Sequence, residues 1–198
     1  MGRNLYIADT HFSHNNVIRF DNRPFATVEE METELIQRWN QAILKFDDTV
    51  HILGDFCWGK EDEWVHLLNE LAGNKVLVRG NHDLKNMSSR LRNMFQDIKD
   101  YKEITDGGRH VILSHYPQLF YKGSYNPDCY MICGHVHVTR ENDFLECWTE
   151  ELRQSRQEPG HSCGNIINVG CMMPWMDYTP RTLDDIIARR WSKGQTRM

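Results

Sequence analysis

Five short motifs in this chain carry side chains suited to metal and acid–base chemistry. They are Asp9-Thr10-His11, Gly54-Asp55, Gly80-Asn81-His82-Asp83, Ser114-His115 and Gly134-His135-Val136-His137. Asn offers a neutral oxygen, His an imidazole that ligates or titrates near neutrality, and Asp a carboxylate. A lone Gly-Asp or His-x-His is weak, because turns and surfaces produce both. Five such motifs, each after an apolar run, form a set. Asp9, His11 and His137 could hold one divalent cation, and Asn81, His115 and His135 a second. Asp55 would bridge them, since a carboxylate can give charge density to each ion. Residues two apart on extended backbone project to one side. The pairs Asp9/His11 and His135/His137 are therefore expected to aim at one pocket from extended segments. Gly54, Gly80 and Gly134 are expected to let the chain turn sharply beside it.

In two-metal hydrolases the ions clamp the attacking and leaving oxygens of an in-line displacement. Two dications against two ligand carboxylates leave a cationic site, which favours a phosphate ester over a neutral substrate. A water bridging the ions would lose its proton near neutral pH and become the nucleophile. His82 is the expected general acid toward the leaving oxygen, with Asp83 orienting its ring. His14, Asn16 and Arg140 are the expected substrate contacts, and Arg19 and Arg23 are further candidates for phosphate. The plain alternative for each arginine is an ordinary surface position. Tyr116-Pro117 is expected to shape the loop after His115. His51, His66 and His110 are read as structural.

The elements that must position these groups are legible as short apolar runs. Leu5–Ala8, Val50–Leu53, Val76–Val78, Val111–Ser114, Tyr130–Cys133 and Ile166–Val169 read as strands covered on both faces. Ligands at the carboxyl ends of such strands are where open α/β sheets place their sites. Thr27 with Glu30 forms a capping box ahead of Met31, Leu35, Trp39 and Ile43. Trp64, Val65, Leu68 and Leu71 mark a second helix stopped by Gly73, and Met87, Leu91, Met94 and Phe95 a third. Leu183, Ile186 and Ile187 fit a short helix or an edge strand, and the residues through Met198 read as a solvated tail. The stretch 140–164 is charged and interrupts the strand progression, so it reads as an inserted loop or helical lid within a single domain spanning 1–198.

The formal net charge of −5 argues against bulk nucleic-acid binding. No apolar run approaches the roughly 20 residues that span a bilayer, and the start resembles neither a signal peptide nor a myristoylation site. Six cysteines without a CxxC pair read as reduced thiols of a cytoplasmic protein. A small site among Cys147, His161 and Cys163 is the minor alternative. No obligate protein partner is evident.

Asp-Thr-His, Gly-Asp, Gly-Asn-His-Asp, Ser-His and Gly-His-Val-His in this order resemble the calcineurin-like metallophosphoesterase superfamily. The resemblance runs from Asp9 to about Pro180 and is nearest the small single-domain bacterial and phage members, through Asp9–His14, Arg19–Phe25 and Asn168–Gly170. It implies an α/β, four-layer αββα sandwich of two facing mixed sheets flanked by helices. It also implies two divalent ions, Mn first, with Fe, Zn or Ni as alternatives. The family's ligand set falls on Asp9, His11, Asp55, Asn81, His115, His135 and His137, with His82 at its catalytic histidine. The implied activity is hydrolysis of a small phosphate ester, a diester ahead of a monoester. A nuclease or nucleotide phosphatase is the alternative; a non-catalytic scaffold would have lost a ligand, and none is lost. The charged stretch 140–164 and Cys171-Met172-Met173 depart from the family pattern.

Overall fold

The computed structural model describes residues 2–155 and 161–191. Its elements run β1 (Asn4–Ile7), α1 (Val17–Phe20), α2 (Val28–Ala42), β2 (Thr49–Ile52), α3 (Glu61–Glu70), β3 (Asn74–Val78), α4 (Ser89–Arg92) and β4 (Asp97–Lys99). They continue with β5 (Tyr101–Asp106), β6 (Arg109–Ser114), β7 (Cys129–Cys133), α5 (Arg140–Ser155), β8 (Ile166–Asn168) and α6 (Leu183–Trp191). The strands make two four-stranded sheets, ordered β1-β2-β3-β4 and β5-β6-β7-β8. The first is parallel throughout, and the second is mixed because β5 and β6 pair antiparallel. The expectation of two mixed sheets thus holds for one of them. A two-residue turn at Gly107-Gly108 allows β5 and β6 to form a hairpin, whereas every other neighbouring pair needs a crossover.

Burial explains which runs became strands. The last three residues of β1 and β2 and the last four of β3 and β6 are buried, as both faces of an inner strand require. One apolar cluster joins Leu5 and Ile7 of β1, Ile52 of β2, Val111 and Leu113 of β6, Ile132 of β7 and Ile167 of β8 with helices α2, α3 and α6. A second packs Leu145 of α5 against Ile112, Met131, Cys133 and Ile166. Residues 140–155 of the charged stretch form α5, which packs on the second sheet through Leu145. The structure matches the αββα architecture.

Helix α2 begins as its sequence dictates. Thr27 Oγ1 accepts from Glu30 N at 3.2 Å, while Glu30 reaches back one residue further than a standard capping box, to Ala26 N at 2.7 Å. Met31, Leu35 and Trp39 fill its inner face. The run from Met87 to Phe95 yields only the single turn α4, because the chain must enter edge strand β4 two residues after Phe95. The segment after Thr182 settles as helix α6, and the tail beyond Trp191 lies outside the described residues.

Buried Asp48 closes the α2–β2 loop. Its carboxylate accepts from Arg3 N (2.8 Å), Nε (3.2 Å) and Nη2 (2.6 Å), and from Leu44 N and Lys45 N at 3.0 and 3.1 Å. The Arg3 side chain, followed by these amides, holds the acid far below the usual carboxylate range against the opposing effect of burial. A depressed folded pKa stabilises the fold above the unfolded value, about 3.9, and that contribution is lost as pH falls through the folded value. The stability difference between wild type and Asp48→Asn is therefore expected to be full from pH 5 to 7 and to shrink below about pH 4. Urea titrations across that range measure it; a pH-independent difference would contradict the assignment.

Candidate metal centre

The two sheets are stitched together just below the site. Ala8 N donates to Val169 O at 2.9 Å and Cys171 N to Ala8 O at 2.8 Å, which joins the end of β1 to the chain leaving β8. The loop after β1 then runs along the loop after β2, through Asp9 N to Gly54 O and His11 N to Asp55 O, both at 3.0 Å. Gly134 N donates to His115 O at 2.9 Å, bringing in the loops after β6 and β7. Loops from both sheets that bear the expected ligands thus meet at the carboxyl ends of their strands.

The side chains converge as their types suggested, but by a different backbone route. Asp9 (φ 55°), His11 (49°), Asp55 (52°), His135 (73°) and His137 (41°) all adopt left-handed conformations. The Asp9/His11 and His135/His137 pairs are not on extended chain, which corrects the expectation. Left-handed backbone costs an L-residue about 1–2 kcal/mol, and such residues gather at functional sites. Of the three glycines expected to turn beside the site, Gly54 alone has positive φ (83°). Gly80 and Gly134 serve close approach instead: a Cβ at Gly134 would sit 2.7 Å from Asp9 Oδ2, and one at Gly80 would strike the Asp55 carboxylate.

Two acceptor groups result. Ligand atoms of Asp9, His11, Asp55 and His137 lie within 4.8 Å of one another, and so do those of Asp55, His115 and His135. Asp55 belongs to both. Its Oδ2 is 3.7 Å from His11 Nε2 and 3.6 Å from His115 Nε2. Asn81 joins the second group, with Oδ1 at 3.0 Å from His115 Nε2. All seven expected ligands are therefore brought together. Among the described residues neither group contains a cysteine.

The lone pairs fit cations. His115 Nδ1 lies 2.8 Å from Leu53 O, an acceptor only, so Nδ1 carries a proton, and Nε2 faces Asn81 Oδ1 at 3.0 Å. His137 Nδ1 donates to Asp21 Oδ1 at 2.7 Å, leaving its Nε2 to face His11 Nε2 at 3.2 Å. Burial, then the neighbouring His137 and Arg23, drives His11 down to about 2, so that ring is neutral. Asp9 is fully buried and pushed up to about 6, against the pull of His137 and His115. Imidazole nitrogens, an amide oxygen and carboxylates converging on one point are a donor set that a cation satisfies.

The surrounding residues only partly match expectation. Arg23 is neither a phosphate binder nor a surface residue. It is buried, donates to Thr10 O and Asp9 O at 2.8 Å each, and pairs with Asp21 Oδ2 at 2.8 Å. Asp21, which sequence reasoning missed, links this guanidinium to the His137 ring; only its spacing from Arg23 hinted at it. Asp83 does not orient the His82 imidazole. Its oxygens accept from Asp55 N (3.1 Å), Phe56 N (2.9 Å) and Gly80 N (2.7 Å), so it ties the β2 and β3 loops together. His82 is exposed; its own N–H donates to Asp55 Oδ1 at 2.9 Å, and its ring is 6.0 Å from that of His11.

His14 reaches the rim, with its ring 5.4 Å from His11 and stacked on Trp58. Asn16 precedes α1 and Arg19 lies within it, both exposed, and exposed Arg140 opens α5 with its guanidinium over Phe144. Tyr116 packs its ring 4.6 Å from His135. His51 is structural as expected, stacked on Tyr6 and 2.9 Å from Asn4 Oδ1; His66 and His110 pair with Glu70 and Glu103. Cys171 backs the first loop, its thiol donating to Asp9 O at 3.2 Å.

Two sheets between helical layers, with clustered Asp, His and Asn at their carboxyl ends, define an α/β protein with a candidate metal centre. Residues 3–182 match the family model described as the calcineurin-like phosphoesterase superfamily domain, and the chain belongs to that family. It is 34% identical over 145 residues to the uncharacterized protein MJ1445 of Methanocaldococcus jannaschii, covering 72% of this chain and 74% of that one. It is 30% identical over 137 residues to the Gene 66 protein of Mycobacterium phage L5, covering 60% and 65%. The crystal structure of AQ665 from Aquifex aeolicus, a protein of unknown function, superposes with a TM-score of 0.65 at 29% identity, covering 94% of this chain and 98% of that one. The family implies divalent metal ions and phosphoester hydrolysis. Among the described residues no helix is long and apolar enough to cross a membrane.

Proposed function

We propose that the protein hydrolyses a phosphate ester, a diester ahead of a monoester, using two divalent ions with Mn first among Fe, Zn and Ni. Asp9, His11 and His137 would hold one ion, Asn81, His115 and His135 the other, and Asp55 would serve both. The observation that carries this reading is the membership of Asp55 in both acceptor groups, with Oδ2 3.7 Å from one histidine and 3.6 Å from another. When bound, such a pair activates water near neutral pH and neutralises charge on the phosphoryl group.

The chain's own groups do the rest. Asp21 fixes the His137 tautomer, and Leu53 O fixes that of His115. Asp83 holds the Gly80–Asp83 loop against the loop of Asp55. His82, exposed beside the first group, gives its proton to the leaving oxygen. Substrates are small phosphate esters, and His14 acts by supporting Trp58. Asn16 and Arg140 remain candidate substrate contacts on the surface.

The test is hydrolysis by metal-reconstituted protein of two phosphodiesters that differ in leaving group. His82→Gln should lose about 10²- to 10⁴-fold on an alkyl ester, whose alkoxide needs a proton, and much less on a nitrophenyl ester. Equal losses on both would remove His82 as the acid. No hydrolysis of any mono- or diester by wild type with Mn, Fe, Zn or Ni would end the reading.

A further inference from the structure

Beside the candidate centre lies an aromatic surface that metal binding does not explain. Trp58, three residues after Asp55, is 49% exposed, a large fraction for an indole held in place. Its ring stacks on His14 with centroids 4.2 Å apart and planes at 10°, and lies 4.7 Å from the His82 ring. His14 in turn meets exposed Phe20 edge-on at 6.2 Å. The loop carrying Trp58 is pinned: Trp58 N donates to Phe12 O at 2.7 Å, Gly59 N to Cys57 Sγ at 3.3 Å, and Trp64 Nε1 to Cys57 O at 3.1 Å. Tyr116, 50% exposed, stands against His115 and His135 of the second group.

Single exposed aromatics are ordinary. A half-open indole fixed by backbone bonds, backed by an imidazole and adjoining the proposed proton donor is a prepared face. Its order is already fixed in the free protein, so a ligand stacking there does not bear that cost.

We infer that Trp58 selects phosphate esters whose leaving group carries a planar ring of nucleobase size. The inference rests on the hydrolase reading above and names the substrate class of that same site. The direction follows from His82. Water forms the new bond to phosphorus and gives up one proton to solvent, the ester P–O bond breaks, and its electron pair leaves on the alcohol oxygen, which takes the His82 proton; solvent reprotonates His82. The leaving group therefore lies on the His82 side, where Trp58 is, with Tyr116 beside the other group of ligands.

The test is calorimetry on the Mn²⁺-loaded full chain with two uncleavable ligands that share a head group, methylphosphonate and the 5′-methylene phosphonate of adenosine. Wild type should bind the adenosine compound about 5- to 150-fold more tightly, the range expected of one base stacked on an aromatic side chain. The ratio should collapse toward one in Trp58→Leu and survive in Trp58→Phe, which keeps a stacking face; the melting temperature of each variant confirms folding. A wild-type ratio of one would overturn the inference and leave the hydrolase reading standing. A ratio kept in Trp58→Leu but lost in Tyr116→Leu would overturn the assignment to Trp58. Failure of both ligands to bind would remove the hydrolase reading and this inference together.

Discussion

Asp55→Asn is expected to reduce phosphodiester hydrolysis by at least about 10²- to 10³-fold, the scale seen when one preorganised charge-stabilising group is removed from a catalytic site. The substitution is nearly isosteric, and its amide oxygen can still accept from His82 N, as Asp55 Oδ1 now does at 2.9 Å. What disappears is the charge shared between the two acceptor groups. In the metal-free chain the same change should not destabilise the fold. Asp55 adds to the cost of ionising buried Asp9, so removing its charge relieves repulsion there. The signature is therefore a split: activity and second-ion affinity fall together, while the urea midpoint of the metal-free protein holds or rises. Such opposition between activity and stability is expected of ligands gathered against their own repulsion. Equal loss of both would mean that Asp55 is a structural carboxylate.

Arg23→Met is expected to be the costliest single change to the fold, about 3–5 kcal/mol, as for other buried pairs broken by removing one partner. The guanidinium is buried and holds Asp21 and the carbonyls of Asp9 and Thr10 at once. Methionine fills much of the space and satisfies none of them, leaving a buried carboxylate that must either protonate or open the loop. Arg23→Lys should recover only part of the loss, since one ammonium lacks the planar fork that serves three partners. Denaturant unfolding at neutral pH measures both. A cost below about 1 kcal/mol, the range of exposed ion pairs, would show that the clamp is incidental.

These two positions also show what could be read from the sequence. Asp55 was legible because its chemistry is written locally: an apolar run, a glycine and a carboxylate at a strand end. The same holds for the other six proposed ligands and for the five strands that precede the seven, whose burial on both faces forces a continuous apolar pattern. Strands β4 and β5 were not legible. Asp97–Lys99 is a three-residue edge, and Tyr101–Asp106 alternates exposed and half-buried residues, many of them charged. Edges carry such residues to resist further pairing, which erases the apolar signal.

Arg23 and Asp21 were misread or missed for a different reason. Their burial is created by tertiary approach, more than a hundred residues separating Asp21 from His137, and a buried charged pair has the same composition as a solvated one. The left-handed turns at Asp9, His11, Asp55, His135 and His137 were hidden too, because Asp and His tolerate that conformation without requiring it. Helix α5 looked like an excursion because only Asn142, Leu145 and Thr149 of its sixteen residues are buried, a narrow stripe beneath a charged outer face.

The central claim is that two ions share Asp55. Anomalous diffraction from crystals of the Mn²⁺-reconstituted protein tests it directly. Two peaks about 3.5–4 Å apart are expected, one beside Asp9, His11 and His137 and one beside Asn81, His115 and His135, with the Asp55 carboxylate touching both. A single peak at full reconstitution, or two that Asp55 does not join, would contradict it.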